Sequence, residues 1–135
     1  MPNTAILCVD DESVVLNSLK MQLRNAFQDR FLYEIAESAD EAMELLDEFA
    51  AQDIRVLCVV SDWLMPGTRG DAFLIQVHQK FPDMIKVMLT GQADESAIAR
   101  TIAQANLYRC LHKPWNRDEL IATIESGIAS LRQDE

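Results

Sequence analysis

Five polar residues follow or close short apolar runs: Asp10 and Asp11 after "AILCV", Asp62 after "VLCVVS", Thr90 at the end of "IKVMLT", and Lys113 after "LYRCLH". A single Asp or Thr in such a place is accounted for by turn chemistry or helix capping. The set asks for more. Carboxylates gathered at one edge repel each other and raise one another's pKa unless a cation neutralises them. Hard oxygen ligands suit Mg²⁺, which prefers one or two carboxylates, several waters and a substrate phosphate to a closed protein cage. A carboxylate can itself attack phosphorus, and the charge on the transferring group must then be met by metal, a lysine and hydroxyl or backbone donors. Lys113 and Thr90 supply such donors.

These residues converge only if the elements carrying them are aligned. Beta-rich runs occur at "AILCV", "FLYEIA", "VLCVVS", "IKVMLT" and "LYRCLH", and stretches with helical spacing separate them. The first helix carries Val15, Leu16, Leu19, Leu23 and Phe27. The second carries Ala42, Leu45, Leu46 and Phe49 behind a capping box, Ser38 with Glu41. The third holds Phe73, Leu74 and Val77 and stops before Pro82; the fourth runs from about Asp94 through Ile98 and Ile102 to Asn106. The fifth opens with Asn116 and Glu119 and carries Leu120, Ile124, Ile128 and Leu131. Strict alternation with near-continuous apolar strands predicts a doubly wound α/β domain, a parallel sheet between helices. Ligand sites in such sheets lie beyond the carboxyl ends of the strands, where four of the five strands deliver the polar groups above.

The 135 residues fit a single domain, with 49% hydrophobic and 25% charged residues and no apolar run long enough for a bilayer. No basic region followed by a long apolar stretch opens the chain, so the expected location is the cytoplasm. A net charge of −10 argues against nucleic acid and anionic lipid as ligands. Cys8, Cys58 and Cys110 lie far apart without metal-ligand spacing and read as buried reduced thiols.

The motifs "VDDE", "SDWLMPG", "LTG" and "KPW", in that order, resemble the receiver domain of two-component response regulators, and the resemblance runs from about Thr4 to Leu131 of a single domain spanning 1–135. It implies a flavodoxin-like (βα)5 fold with strand order 2-1-3-4-5. It also implies that Asp62 is the phosphoacceptor, taking its phosphoryl group from a histidine kinase or histidine phosphotransfer protein. Mg²⁺ would then be held by Asp11 and Asp62 directly, by Asp10 mainly through water, and by the backbone carbonyl of Leu64. Lys113 would pair with the phosphoryl group, Thr90 would hydrogen-bond it as the switch residue, and the Lys113–Pro114 bond would be cis. Met65 and Pro66 would shape the loop, with Gly67 and Gly70 giving permissive backbone. The output would be a changed protein-binding surface, read by a downstream protein or a fused output domain, and a homodimer stays open.

Two positions depart from the family pattern. Cys110 stands three residues before the lysine, where the family usually has an aromatic switch residue. Tyr108, on the same side of one strand, is a candidate substitute, although a surface tyrosine is the plainer reading. Leu64 stands two residues after Asp62, where an amide or acid often helps to orient attacking water; Gln92 could partly replace it. Trp115 reads as a hydrophobic staple before the last helix, and His78 and His112 as surface residues. A magnesium-dependent phosphohydrolase is disfavoured because its second Asp, two after the nucleophile, is Leu64 here. A nucleotide or flavin site is disfavoured because "VDDES" would repel phosphate. A receiver-like module that is never phosphorylated is the remaining alternative.

Overall fold

A computed structural model of the chain describes residues 3–65, 67–91 and 95–133. Five parallel strands, β1 (Thr4–Val9), β2 (Leu32–Ala36), β3 (Arg55–Asp62), β4 (Ile85–Thr90) and β5 (Arg109–His112), form one sheet in the order β2-β1-β3-β4-β5. Helices α1 (Ser13–Phe27), α2 (Ala39–Ala51), α3 (Gly70–Lys80), α4 (Glu95–Ala105) and α5 (Arg117–Gln133) alternate with them, and a short 3-10 turn over Gln28–Arg30 follows α1. The predicted doubly wound fold is the one observed. Its inner strands are mostly apolar between their ends, with Lys86 of β4 the exception, because helices cover both faces.

On one face Leu16, Leu19 and Leu23 of α1 and Leu120, Ile124 and Ile128 of α5 pack on Ile6, Cys8, Val60 and Leu89. On the other, Leu46 of α2 and Phe73, Leu74 and Val77 of α3 pack on Leu7, Val9, Val59 and Met88. Each fully buried side chain of this size contributes about 1.5–3 kcal/mol. Local signals set the helix starts. The Ser38 hydroxyl accepts the Glu41 N–H at 3.1 Å, and the Glu41 carboxylate accepts the N–H of Glu37, also at 3.1 Å. Asn116 caps α5 by accepting the Glu119 N–H at 3.0 Å.

Three expectations are corrected. Ile102 does not face the core: it is exposed, and α4 instead buries Ala97, Thr101 and Ala105. The apolar spacing marks the wrong stripe because small residues fill the close approach of α4 to its neighbours. Tyr108 and Cys110 do not share a side. The strand begins only at Arg109, after Asn106 in a left-handed conformation (φ 51°), so the two-residue alternation does not reach back to Tyr108. Its ring packs in the α1/α5 layer with its hydroxyl 2.6 Å from that of Ser126, whereas Cys110 faces the opposite layer. Finally, Cys8 and Cys58 are buried but Cys110 is only half-buried.

Candidate functional site

The hydrogen-bond ladders of the sheet run on past the strands into the predicted residues. Asp10 N–H donates to Ala36 O at 3.1 Å, Trp63 N–H to Leu89 O at 3.0 Å, and Lys113 N–H to Thr90 O at 2.9 Å. Asp10, Asp62, Thr90 and Lys113 are thereby held at one edge by backbone pairing before any side chain makes contact. The turn that leaves β3 is closed tightly, with Gly70 N–H donating to Trp63 O at 2.7 Å. Gly67 has φ +85°, a conformation that favours glycine. Gly70 is needed for a different reason from the predicted one: its backbone is ordinary, but a Cβ there would overlap the Asp62 carbonyl oxygen and lie 2.8 Å from Trp63 Cα.

The Lys113 ammonium donates to Asp10 Oδ2 at 2.7 Å and lies 3.1 Å from Asp62 Oδ1, joining two of the acids by charge-assisted contacts. Asp10 is fully buried, and its other oxygen accepts the Glu12 N–H at 2.9 Å. Asp11 is exposed and Asp62 lies between these extremes, 6% exposed. One carboxylate oxygen from each of Asp10, Asp11 and Asp62 falls within 4.8 Å of the others. Burial, and then the like charge of Asp10, push the Asp62 pKa above the ordinary carboxylate value, against the opposing pull of Lys113. Burial lowers the Lys113 pKa, but its hydrogen bonds to Asp10 and Asp62 outweigh this and hold it above the ordinary lysine value.

An open cleft of about 540 Å³ lies over these groups, lined among others by Asp11, Asp62, Leu64, Met65, Thr90 and Lys113. Three hard oxygen donors of mixed exposure, one of them with its charge disfavoured by its surroundings, fit a divalent cation. Thr90 is buried at the end of β4, and the Lys113–Pro114 peptide is cis. The Leu64 side chain is exposed at the rim. Pro66, Gln92 and Asp94 lie outside the described residues. Cys110 faces the α2–α4 layer and does not line the cleft. Trp115 is half-buried in the same cluster as Leu120, and its indole N–H donates to Gln22 Oε1 at 2.8 Å. His112 is exposed, but His78 is partly covered and its Nδ1 has no hydrogen-bond partner among the described residues.

One group beside the site was not foreseen. Asp71, on the first turn of α3, is fully buried, and its Oδ2 meets Arg69 at 3.1 Å and Arg100 of α4 at 3.4 Å. The Arg69 guanidinium also lies 5.8 Å from the centroid of the Trp63 ring. In sequence Asp71 reads as an ordinary acid at a helix start, and only the distant Arg100 gives it a second meaning.

Comparison with known proteins agrees with this geometry. The family model described as the response regulator receiver domain matches residues 6–125. The hydrogenase transcriptional regulatory protein HoxA of Cupriavidus necator is 31% identical over 123 residues, covering 91% of this chain and 24% of HoxA. The sensor kinase CckA of Brucella abortus is 30% identical over 127 residues, covering 93% of this chain and 13% of CckA. The chain therefore spans a quarter or less of these relatives. Among solved structures, the signal receiver domain of an HD domain-containing protein from Pseudomonas fluorescens Pf-5 superposes with a TM-score of 0.86 at 28% identity, covering 98% of this chain and 99% of that one. Since the family match runs from β1 into α5 and encloses every residue that lines the cleft, the chain belongs to the response regulator receiver domain family.

Proposed function

We propose that Asp62 accepts a phosphoryl group from a phosphohistidine on a histidine kinase or histidine phosphotransfer protein, and that the modified cleft changes which protein surface the domain presents. The observation that carries this reading is the placement of Asp62 on the cleft wall, 3.1 Å from the Lys113 ammonium and within 4.8 Å of two further carboxylates. A carboxylate oxygen of Asp62 attacks phosphorus, the P–N bond to the donor imidazole breaks, and an acyl phosphate remains on Asp62. Lys113 meets the charge on the transferred group, and the Thr90 hydroxyl donates to it once it has arrived. Later attack by water on phosphorus releases inorganic phosphate and restores the carboxylate, so the chain is a switch that resets and not an enzyme turning over an external substrate.

Mg²⁺ is the cation we assign to the acidic cluster. Asp11 and Asp62 would hold it directly together with the Leu64 carbonyl, and Asp10 would act through water. Both Asp10 oxygens are already engaged by Lys113 and the Glu12 N–H, which supports an outer role for that residue. The bound ion would neutralise the carboxylates and the oxygens of the transferring phosphoryl group.

Among the described residues no helix is long and apolar enough to cross a membrane, and we place the domain's exchange of phosphate in the cytoplasm. The receiver core over residues 4–131 would pass its state to a downstream protein or a fused output domain. No role in binding nucleic acid is assigned to it, and homodimerisation is left to measurement. The deciding experiment is incubation with a small-molecule phosphodonor and Mg²⁺, read by intact mass. One phosphoryl group should be gained, and none in Asp62→Asn or in excess chelator. Uptake by the Asp62→Asn protein at the native rate would refute the assignment.

A further inference from the structure

The four other helices are anchored by large side chains, such as Leu16 and Leu19 of α1, Leu46 of α2, Phe73 and Leu74 of α3, and Ile124 and Ile128 of α5. Helix α4 is different. Its buried residues are Ala97, Thr101 and Ala105, while Ile98 is half-buried and Ile102 more than half exposed. Little apolar area is lost if α4 shifts, because burial energy scales with area removed from water. The position of this helix must then depend more heavily on its polar contacts.

One such contact reaches α3. The Arg100 Nη1 of α4 lies 3.4 Å from Asp71 Oδ2, the oxygen that also accepts from Arg69 Nη2 at 3.1 Å. The other oxygen, Oδ1, is buried and has no hydrogen-bond partner among the described residues. Asp71 is thus a buried carboxylate with one oxygen serving two guanidinium groups and the other serving none. If α4 moved away, that charge would keep only Arg69, which is the expensive state for a buried ion whose partner has left. The two arginines are roughly half exposed, so their own charges can be returned to water cheaply.

We infer that Asp71 and Arg100 form a latch between α3 and α4 that favours the resting position of α4 and so sets how easily the domain switches. The latch joins the segment leaving the phosphoacceptor to the helix that follows Thr90. Asp71 is one residue from Gly70, which bonds Trp63 O, and α4 begins a few residues after Gly91. The inference rests on the reading that phosphorylation of Asp62 repositions the surface around α4. Because coupling is reciprocal, a weaker latch must raise the affinity of the cleft for the group that favours the switched state.

The experiment titrates beryllofluoride, a phosphoryl mimic, into the whole chain with saturating Mg²⁺ and compares native protein with Arg100→Gln, Arg69→Gln, Arg100→Lys and Asp71→Asn, after each is shown to be folded by its thermal transition. Arg100→Gln should bind about fivefold tighter or more, the lower end of ordinary allosteric coupling. Arg69→Gln changes net charge equally but keeps the interhelical contact, so it should not gain affinity, and Arg100→Lys should return most of the native value. Asp71→Asn should gain as Arg100→Gln does, with no further gain in the double variant. Equal affinities for Arg100→Gln and Arg69→Gln, or additive gains in the double variant, overturn the latch while leaving the phosphoacceptor reading intact. Failure of the native protein to bind beryllofluoride or to accept phosphate overturns both.

Discussion

Replacing Gly70 with Ala isolates how the fold holds Asp62. The added Cβ would overlap the Asp62 carbonyl oxygen and lie 2.8 Å from Trp63 Cα and 2.9 Å from the Asp62 carbonyl carbon. All three are backbone atoms, so no rotamer change relieves the clash, and either α3 retreats or the end of β3 moves. Overpacking typically costs 1–3 kcal/mol, and a backbone clash belongs at the upper end, about 3 kcal/mol. For a domain of this size that is about 10 °C in thermal midpoint. If the strand end yields, Asp62 is displaced by about 1 Å and phosphorylation slows by about 100-fold. Urea unfolding and the rate of mass gain with a small-molecule phosphodonor measure the two effects separately. Gly127→Ala is the comparator: its Cβ would lie 2.9 Å from Ile85 Cγ2, a contact with one side chain and not with backbone, so its penalty should be smaller. Unchanged stability together with an unchanged rate in Gly70→Ala would refute the claim that this contact positions Asp62.

The metal-free fold should be stabilised by Asp62→Asn, raising the midpoint by a few degrees, because burial and Asp10 disfavour the Asp62 charge. The sign follows from its raised folded pKa: native stability declines as pH climbs from the unfolded value of 3.8 through the folded one, and melts across that window should show this slope flattened in the variant. Mg²⁺ should stabilise the native protein more than the variant. Leu64→Asn should hasten loss of phosphate severalfold, since an amide at the exposed rim can orient water where Leu64 cannot; an equal or slower loss, timed by mass spectrometry, would oppose this. Alkylation of the native protein should label Cys110 alone. Cys8 is fully buried with its pKa pushed up to about 12, and Cys58 is shielded likewise, while Cys110 is half-buried. Its rate should change on adding beryllofluoride if the layer beneath α4 carries the switch.

Much of this architecture could be read from local pattern. The run "VLCVV" has no polar alternation because β3 is covered on both faces, and Ser38 with Glu41 marks the start of α2 because the Ser38 hydroxyl answers a free N–H of the helix while the Glu41 carboxylate reaches back to the N–H of Glu37 just before it. The cleft residues were legible because strand ends in a parallel sheet all point one way. What local pattern misses is whatever depends on a distant partner. Asp71 looks like a solvated acid until Arg100 is brought to it. Lys86 interrupts an apolar strand yet is only 1% exposed, since its ammonium turns back to Met84 O at 2.6 Å, with burial pushing its pKa down to about 8. The shift in register between β1 and β3 at Ala5/Ile6 likewise has no signature in either strand alone.

The small-residue face of α4 has a kinetic corollary. Amide protons exchange with solvent through the cheapest opening that frees them, and a helix seated on Ala97, Thr101 and Ala105 gives up little apolar contact when it opens alone. Deuterium should therefore enter α4 by sub-global opening, while the amides around Leu19 and Leu23 of α1 wait for the whole domain to unfold. The helix nearest Thr90 in sequence after the strand would be a separate cooperative unit, able to loosen and re-form many times within the lifetime of the folded sheet.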